Sequence, residues 1–294
     1  MGPTLPYIPG VHHREVVVDG LRLHVAFAGP AQGPAVVLQH GWPQNWYEWR
    51  HLIPPLANAG YRVIAPDFRG FGWSEHPADE DFLKETLVDD LVALCAELGH
   101  QRIAYVGHDW GCWVGWLLCL RRPDLVDRAM LISVRPPFPP ETITRSDLAR
   151  LGSLWYQLVI SAPAPHAAKA AFVRAFLEPL RRSGVDEGDL AAYRDPLTQP
   201  AQVRASKLLY RQFVTRELPR LIAGRYGGGK RLVMPVRFIV GEKDPLYYDG
   251  IVDEARPHAD DYAGESLPGV GHFVAEEVPD LVRDRVMGLL TQGR

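Results

Sequence analysis

The sequence predicts an α/β fold, with a doubly wound and mostly parallel sheet that carries an inserted block of helices. Short apolar runs alternate with longer helix-like segments through the first part of the chain, a pattern typical of βαβ units around a buried sheet. The alternation stops at 135–140, where Arg-Pro-Pro-Phe-Pro-Pro can continue neither a helix nor a central strand. Sheet character resumes at 236–240, so we expect one core interrupted by an insertion.

The elements before the insertion follow from their local patterns. Alternating residues at 14–18, a turn at Asp19-Gly20 and a second run at 21–27 predict a β-hairpin. Continuous apolar runs predict buried parallel strands at 35–39, 61–65, 103–106 and 129–134. A helix-like run at 112–120 follows the third of these strands.

The insertion and the C-terminal part have different patterns. From about residue 146 to 222, segments rich in Ala, Leu and Arg predict helices, and Gly227-Gly228-Gly229 predicts a flexible joint. A weak strand pattern at 261–267 and apolar periodicity at 274–290 predict a last strand and a terminal helix. The expected domain limits are 1–135 with 230–294 for the core, and 136–229 for a helical cap.

The composition excludes several classes of protein. A chain of 294 residues, 47% hydrophobic and with a net charge of -3, can bury a large core and predicts neither nucleic acid nor an anionic membrane as partner. The first 18 residues contain no continuous apolar run of the kind a signal peptide needs. Cys112 and Cys119 lie about 10 Å apart along one predicted helix, too far for a disulfide, so we expect a cytoplasmic location.

A candidate nucleophile lies at Gly107-His108-Asp109-Trp110-Gly111, between a strand and a helix. A side chain presented on such a sharp turn needs very small residues two positions before and after it, and Gly107 and Gly111 meet that need. A carboxylate at the centre can attack a saturated carbon and form an alkyl ester, which water must then cleave. The alternative is that Asp109 only caps the helix that follows.

Backbone amides could stabilise charge on that ester. His40-Gly41-Trp42-Pro43 follows the strand 35–39, where such folds place an amide opposite the nucleophile. The amides of Trp42 and Trp110 are therefore the expected oxyanion hole.

The remaining catalytic groups are expected near the C-terminus. Asp244 follows the strand 236–240 at the carboxyl edge of the sheet, and is the candidate orienting acid. His272 lies on a glycine-rich loop, 269–273, and is the candidate general base. The order nucleophile, acid and histidine is that of α/β-hydrolases. The other histidines show no paired ligand spacing, so we expect neither a metal nor a cofactor.

These motifs resemble the epoxide hydrolases of the α/β-hydrolase superfamily, in the branch with an Asp nucleophile, across nearly the whole chain. The likeness rests on the runs 40–43, 46–50, 64–72 and 107–111. It implies the α/β-hydrolase fold, a small hydrophobic epoxide and water as partners, and conversion of the epoxide to a vicinal diol.

The resemblance also implies two cap tyrosines that hold the epoxide oxygen. Tyr156 in Leu-Trp-Tyr-Gln and Tyr210 in Leu-Tyr-Arg match the family contexts. Other tyrosines could line the pocket instead, namely Tyr193, Tyr226, Tyr247 and Tyr248. The apolar residues expected to make the pocket hydrophobic are Leu154, Trp155, Leu158, Phe172 and Phe176.

Two other functions stay open. A haloalkane dehalogenase shares the Asp nucleophile, and Trp110 is where that relative places a halide-binding indole, although Trp42 replaces its second halide donor, an Asn. A small-molecule-binding protein on the same fold would need no turnover. A serine esterase is disfavoured by Asp109 itself. A homodimer is compatible with the sequence, which does not decide the oligomeric state.

Overall fold

We describe residues 3–138 and 155–292 of a computed structural model. The strands are β1 (His12–Val18), β2 (Leu21–Ala28), β3 (Ala35–Gln39), β4 (Arg62–Pro66), β5 (Ile103–His108), β6 (Val126–Ile132), β7 (Val236–Gly241) and β8 (Tyr262–Leu267). They form one sheet in the order β1-β2-β4-β3-β5-β6-β7-β8. All pairings from β4 to β8 are parallel, whereas β2 is antiparallel to both its neighbours. The predicted hairpin and parallel sheet are confirmed.

Helices precede, follow and interrupt the strands. In the described residues the α-helices are α1 (Ile53–Asn58), α2 (Lys84–Glu97), α3 (Trp110–Arg121), α4 (Trp155–Ser161), α5 (His166–Phe176), α6 (Glu178–Arg182), α7 (Glu187–Leu197), α8 (Pro200–Gln212), α9 (Leu218–Ile222), α10 (Val274–Glu277) and α11 (Pro279–Thr291). A π-helical turn, Phe213–Glu217, joins α8 to α9.

The sheet is buried on both faces. One apolar cluster includes Trp113 and Trp116 of α3, and the other includes Trp46 and Trp49 of the β3–α1 connection. Parallel strands covered on both faces are apolar along their whole length, and every residue of β3 and β4 is buried. The continuous apolar runs of the sequence therefore reflect burial on both faces.

The insertion between β6 and β7 is helical, as predicted. Residues 155–222 form α4 to α9 with the π turn and contain no strand. The part of the predicted insert at 139–154 lies outside the described residues, and the domain limits at 136 and 229 stay a prediction. No helix within 3–138 or 155–292 has the length and apolar character needed to cross a membrane.

Most elements differ from the prediction by only one or two residues at their ends, but two differ by more. β6 begins earlier than predicted, at Val126: Asp127 and Arg128 interrupt the apolar pattern of the sequence, but they pair with each other and lie within the strand. The strand ends before Ser133, which has a φ of 79°. The predicted terminal helix is two helices that meet at Val278. That residue precedes Pro279 and has φ -137° and ψ 58°, because proline disfavours the helical conformation in the residue before it.

Candidate active site

Asp109 occupies a strained turn between β5 and α3. Its φ of 49° lies in the left-handed region, which a non-glycine residue adopts only when its surroundings impose it. A β-carbon on Gly107 would lie 2.6 Å from the Gly111 carbonyl carbon, and one on Gly111 would lie 2.8 Å from the Gln39 carbonyl carbon. Both positions therefore require glycine, for the steric reason that the sequence motif predicts.

The loop 40–43, which we call the oxyanion loop after its expected role, holds one oxygen of the Asp109 carboxylate. The Trp42 N–H donates to Asp109 Oδ1 at 2.7 Å. A β-carbon on Gly41 would lie 2.6 Å from the same oxygen, so the loop approaches this closely only with glycine there. Asp109 makes no side-chain capping bond to α3, which argues against the helix-cap alternative. Trp110 begins α3, and the first amides of a helix have no acceptor within it.

Two further residues support this loop. His40 Nδ1 donates to the Gly41 carbonyl oxygen at 2.9 Å, and His40 Nε2 accepts the Phe68 N–H at 3.1 Å. His40 therefore acts as a buried bridge between two loops. The peptide bond from Trp42 to Pro43 is cis.

His272 lies between two carboxylates. Its Nδ1 is 2.7 Å from Asp244 Oδ2, and its Nε2 is 3.5 Å from Asp109 Oδ2. The second Asp244 oxygen accepts the Leu246 N–H at 2.8 Å, which fixes the orientation of that carboxylate. The structure thus brings Asp109, His272 and Asp244 into one line of contacts, although 28 residues separate the last two in the chain.

The two carboxylates control the protonation of His272. Burial by itself lowers the pKa of this imidazole, but Asp244 and Asp109 outweigh burial and raise the pKa well above the ordinary 6.5. Both carboxylates therefore favour the imidazolium form of His272.

Replacement of Asp109 by Asn should lower the pH at which His272 titrates, because it removes one of the two charges that favour the imidazolium. Histidine-selective NMR titration of wild type and Asp109→Asn measures this shift. The control is His100, which is partly exposed and contacts neither carboxylate, so its titration should be the same in both proteins. An unchanged His272 titration would mean that the Asp109 charge does not act on it.

Aromatic rings from the cap and the core pack against one another near Asp109. The Tyr210 ring makes edge contacts with Trp42 and Trp110, with centroids 5.4 and 5.3 Å apart, and lies 5.9 Å from the Tyr156 ring. Burial raises the pKa of both tyrosines, and the Asp109 charge raises it further. Both hydroxyls therefore stay protonated and interact electrostatically with the Asp109 carboxylate.

The cap contacts the oxyanion loop directly. The Trp42 indole Nε1 donates to Ser206 Oγ of α8 at 3.0 Å, and its ring packs against Phe176 of α5 with centroids 4.8 Å apart. The indole N–H is thereby used inside the protein. It is not free to bind a halide in place of the missing Asn.

Several expected pocket residues have other positions. Tyr193 donates to Glu276 and accepts a bond from Arg50, so it joins the cap to the core away from Asp109. Trp155 and Leu158, which were expected to make the pocket hydrophobic, are instead exposed, with exposed fractions of 60% and 59%. Helical periodicity turns them outward while Tyr156, between them, faces inward. Leu154 lies outside the described residues.

Sequence reasoning missed a buried ion pair, Glu48–His108, that contacts the loops of Gly41 and His272. His108 Nδ1 lies 2.6 Å from Glu48 Oε1, and neither side chain is exposed. Glu48 Oε2 accepts the Gly41 N–H at 3.3 Å, and His108 Nε2 donates to the His272 carbonyl oxygen at 2.8 Å. Both His108 nitrogens face acceptors, and Glu48 raises the pKa of His108 against the opposing effect of burial. The only sequence signal was a charged residue within the aromatic run 46–49.

Comparisons with known proteins agree with this geometry. Residues 34–279 match the model of the alpha/beta hydrolase fold family. Epoxide hydrolase A of Mycobacterium tuberculosis is 31% identical, over 95% of this chain and 97% of that protein. A soluble epoxide hydrolase of Corynebacterium is 29% identical, over 94% of this chain and 96% of that protein. A solved structure of a Vigna radiata epoxide hydrolase mutant superposes with a TM-score of 0.81 at 26% identity, covering 97% of this chain and all of that one. The chain therefore belongs to the α/β-hydrolase family, in the group that contains these epoxide hydrolases.

Proposed function

We propose that this enzyme converts a small hydrophobic epoxide to a vicinal diol through a covalent ester on Asp109. The observation that carries the proposal is the contact line Asp109–His272–Asp244, with two adjacent tyrosines, Tyr156 and Tyr210, close enough for the Asp109 charge to act on them. A carboxylate nucleophile, a histidine base and neutral hydroxyl donors are the groups that this reaction needs. The names of the relatives support the same substrate class.

In the first step Asp109 Oδ2 attacks an epoxide carbon. The other oxygen, Oδ1, is held by the Trp42 N–H and becomes the ester carbonyl oxygen. As the new C–O bond forms, the ring C–O bond breaks and its electron pair moves to the departing oxygen. That alkoxide stays attached to the substrate, and Tyr156 and Tyr210 hydrogen-bond it and supply a proton.

In the second step water attacks the ester carbonyl carbon and His272 accepts its proton. Alkylation removes the Asp109 charge and lowers the pKa of His272, which gives its proton back to the tyrosine that protonated the alkoxide and so becomes a free base. Charge develops on Oδ1, near the Trp42 and Trp110 amides. Collapse of this intermediate releases the diol and leaves an oxygen from water on Asp109.

The test is a single turnover with aryl and alkyl epoxides in oxygen-18 water, with enzyme in excess. We expect unlabelled diol, and one heavy oxygen in the peptide that contains Asp109. Labelled diol from the first turnover would show direct attack by water and contradict the ester route. Bromoalkanes belong in the same panel, since halide release without diol formation would instead support dehalogenation.

Loss of the cap hydroxyls should slow ring opening specifically. We expect Tyr156→Phe and Tyr210→Phe each to lower the rate of ester formation on the order of 10²-fold, because each removes one donor to the developing alkoxide. The double variant should be nearly inactive. Stopped-flow or rapid-quench kinetics of ester formation measures this effect.

Tyr262→Phe is the control for this pair. Tyr262 lies on β8, away from Asp109, and its hydroxyl donates to the Val252 carbonyl oxygen at 2.8 Å. Ester formation by this variant should therefore proceed as in wild type. If both cap variants open epoxides at the wild-type rate, the tyrosines are not the oxygen donors.

A further inference from the structure

Lys84, the first residue of α2, is completely buried. Its ammonium donates to Glu217 Oε2 at 2.8 Å, to the Leu209 carbonyl oxygen at 2.9 Å and to the Phe82 carbonyl oxygen at 3.5 Å. All three ammonium protons therefore have an acceptor. Glu217 Oε1 also accepts the Lys84 backbone N–H at 2.9 Å, so a carboxylate of the cap caps the N-terminus of α2 in the core.

These contacts lie beside one of the cap tyrosines. Leu209, whose carbonyl the ammonium binds, directly precedes Tyr210 in α8. The ammonium also lies 4.4 Å from the centroid of the Trp110 ring, which makes an edge contact with the Tyr210 ring. Lys84 thus touches both the backbone and an aromatic neighbour of that tyrosine.

A third side chain joins the same two segments. Gln212 Oε1 accepts the Phe82 N–H, and Gln212 Nε2 donates to the Glu80 carbonyl oxygen, both at 2.8 Å. Residues 80–84 of the core therefore hold residues 209–217 of the cap through what we call the tyrosine clamp, formed by Lys84, Gln212 and Glu217.

A buried ion pair of this kind is a poor source of stability. The cost of removing both charges from water offsets most of their attraction, and apolar residues of similar volume would pack there as stably. What an apolar pair cannot do is bind one chosen carbonyl and cap one chosen helix. We propose that Lys84 and Glu217 position the Tyr210 hydroxyl over Asp109 for ring opening, an inference that rests on the proposed epoxide reaction.

The experiment replaces both charges together, as Lys84→Met/Glu217→Met. Either substitution alone would leave a buried charge without its partner and could unfold the protein, whereas the pair keeps volume and removes both charges. In single turnovers followed by rapid quench and intact-protein mass spectrometry, ester formation should slow by about tenfold or more, since small displacements of an aligned group are costly. Ester hydrolysis, which does not use Tyr210, should change by less than about twofold.

A double-mutant cycle identifies the residue through which the pair acts. If the clamp works through Tyr210, adding the paired substitution to Tyr210→Phe should cause little further loss of ester formation. Arg204→Ala is the matched control, because the exposed Arg204–Glu80 ion pair also joins α8 to the core segment 80–84 but does not touch Tyr210. It should leave both rates unchanged.

Other outcomes overturn the inference. The pair would have only a structural role if the paired substitution slowed both chemical steps equally or slowed neither. The same holds if its effect on ester formation and that of Tyr210→Phe multiplied fully in the combined variant. If wild type forms no ester with any epoxide, the proposed function fails separately. Hydrogen–deuterium exchange at residues 208–217 then tests whether the clamp holds this segment. Exchange should rise in the paired variant and not in Arg204→Ala. Unchanged exchange in the paired variant contradicts the inference.

Discussion

Asp109→Asn should lose diol formation by at least about 10³-fold, the scale on which removal of a catalytic nucleophile acts. The amide has nearly the same shape as the carboxylate and retains an oxygen that can accept the Trp42 N–H. What it lacks is the negative charge that attacks the epoxide carbon. The loss therefore reports on nucleophilicity rather than on folding.

The measurement combines diol assay with intact mass. No ester adduct should form on the variant, and its thermal unfolding should stay close to that of wild type. Asp253→Asn is the control, because that carboxylate is exposed and pairs with Arg256 at the surface. Retention of activity within about tenfold of wild type would show that Asp109 is not the nucleophile, once deamidation of the introduced amide is excluded by peptide mass.

His272→Gln should trap the intermediate. Ring opening needs Asp109 and the tyrosines, so one equivalent of epoxide should still react and raise the protein mass by the mass of the substrate. Hydrolysis should slow by roughly 10²- to 10⁴-fold, the usual contribution of a general base. The opposite results for the Asp109 and His272 variants separate the two chemical steps.

Substitution of another histidine is the control for this result. His100→Gln changes a histidine at the opposite end of β5 from Asp109, and this variant should turn over without accumulating an adduct. Wild-type diol formation by His272→Gln would remove this residue from the mechanism. Complete loss of both diol and adduct would indicate instead that the imidazolium is already needed for ring opening, for example by orienting Asp109.

Local sequence determined the architecture and the place of the site. The alternation of apolar runs predicted the parallel sheet, because strands buried on both faces must be apolar throughout. The two glycines around Asp109 predicted the sharp turn, because a β-carbon at either would collide with backbone. Both signals lie within a few residues of the feature that they predict. Pro279 was such a signal too, because it divides the predicted terminal helix into α10 and α11.

Only the tertiary structure decided which distant residues became partners. Glu48 meets His108 across 60 residues, and Lys84 meets Glu217 across 133, with no local pattern that marks either pair. Trp155 and Leu158 resemble pocket residues in sequence, yet the packing of α4 leaves them exposed. Burial and pairing depend on how separate segments dock, and a buried charge is stable only where docking provides its counter-charge.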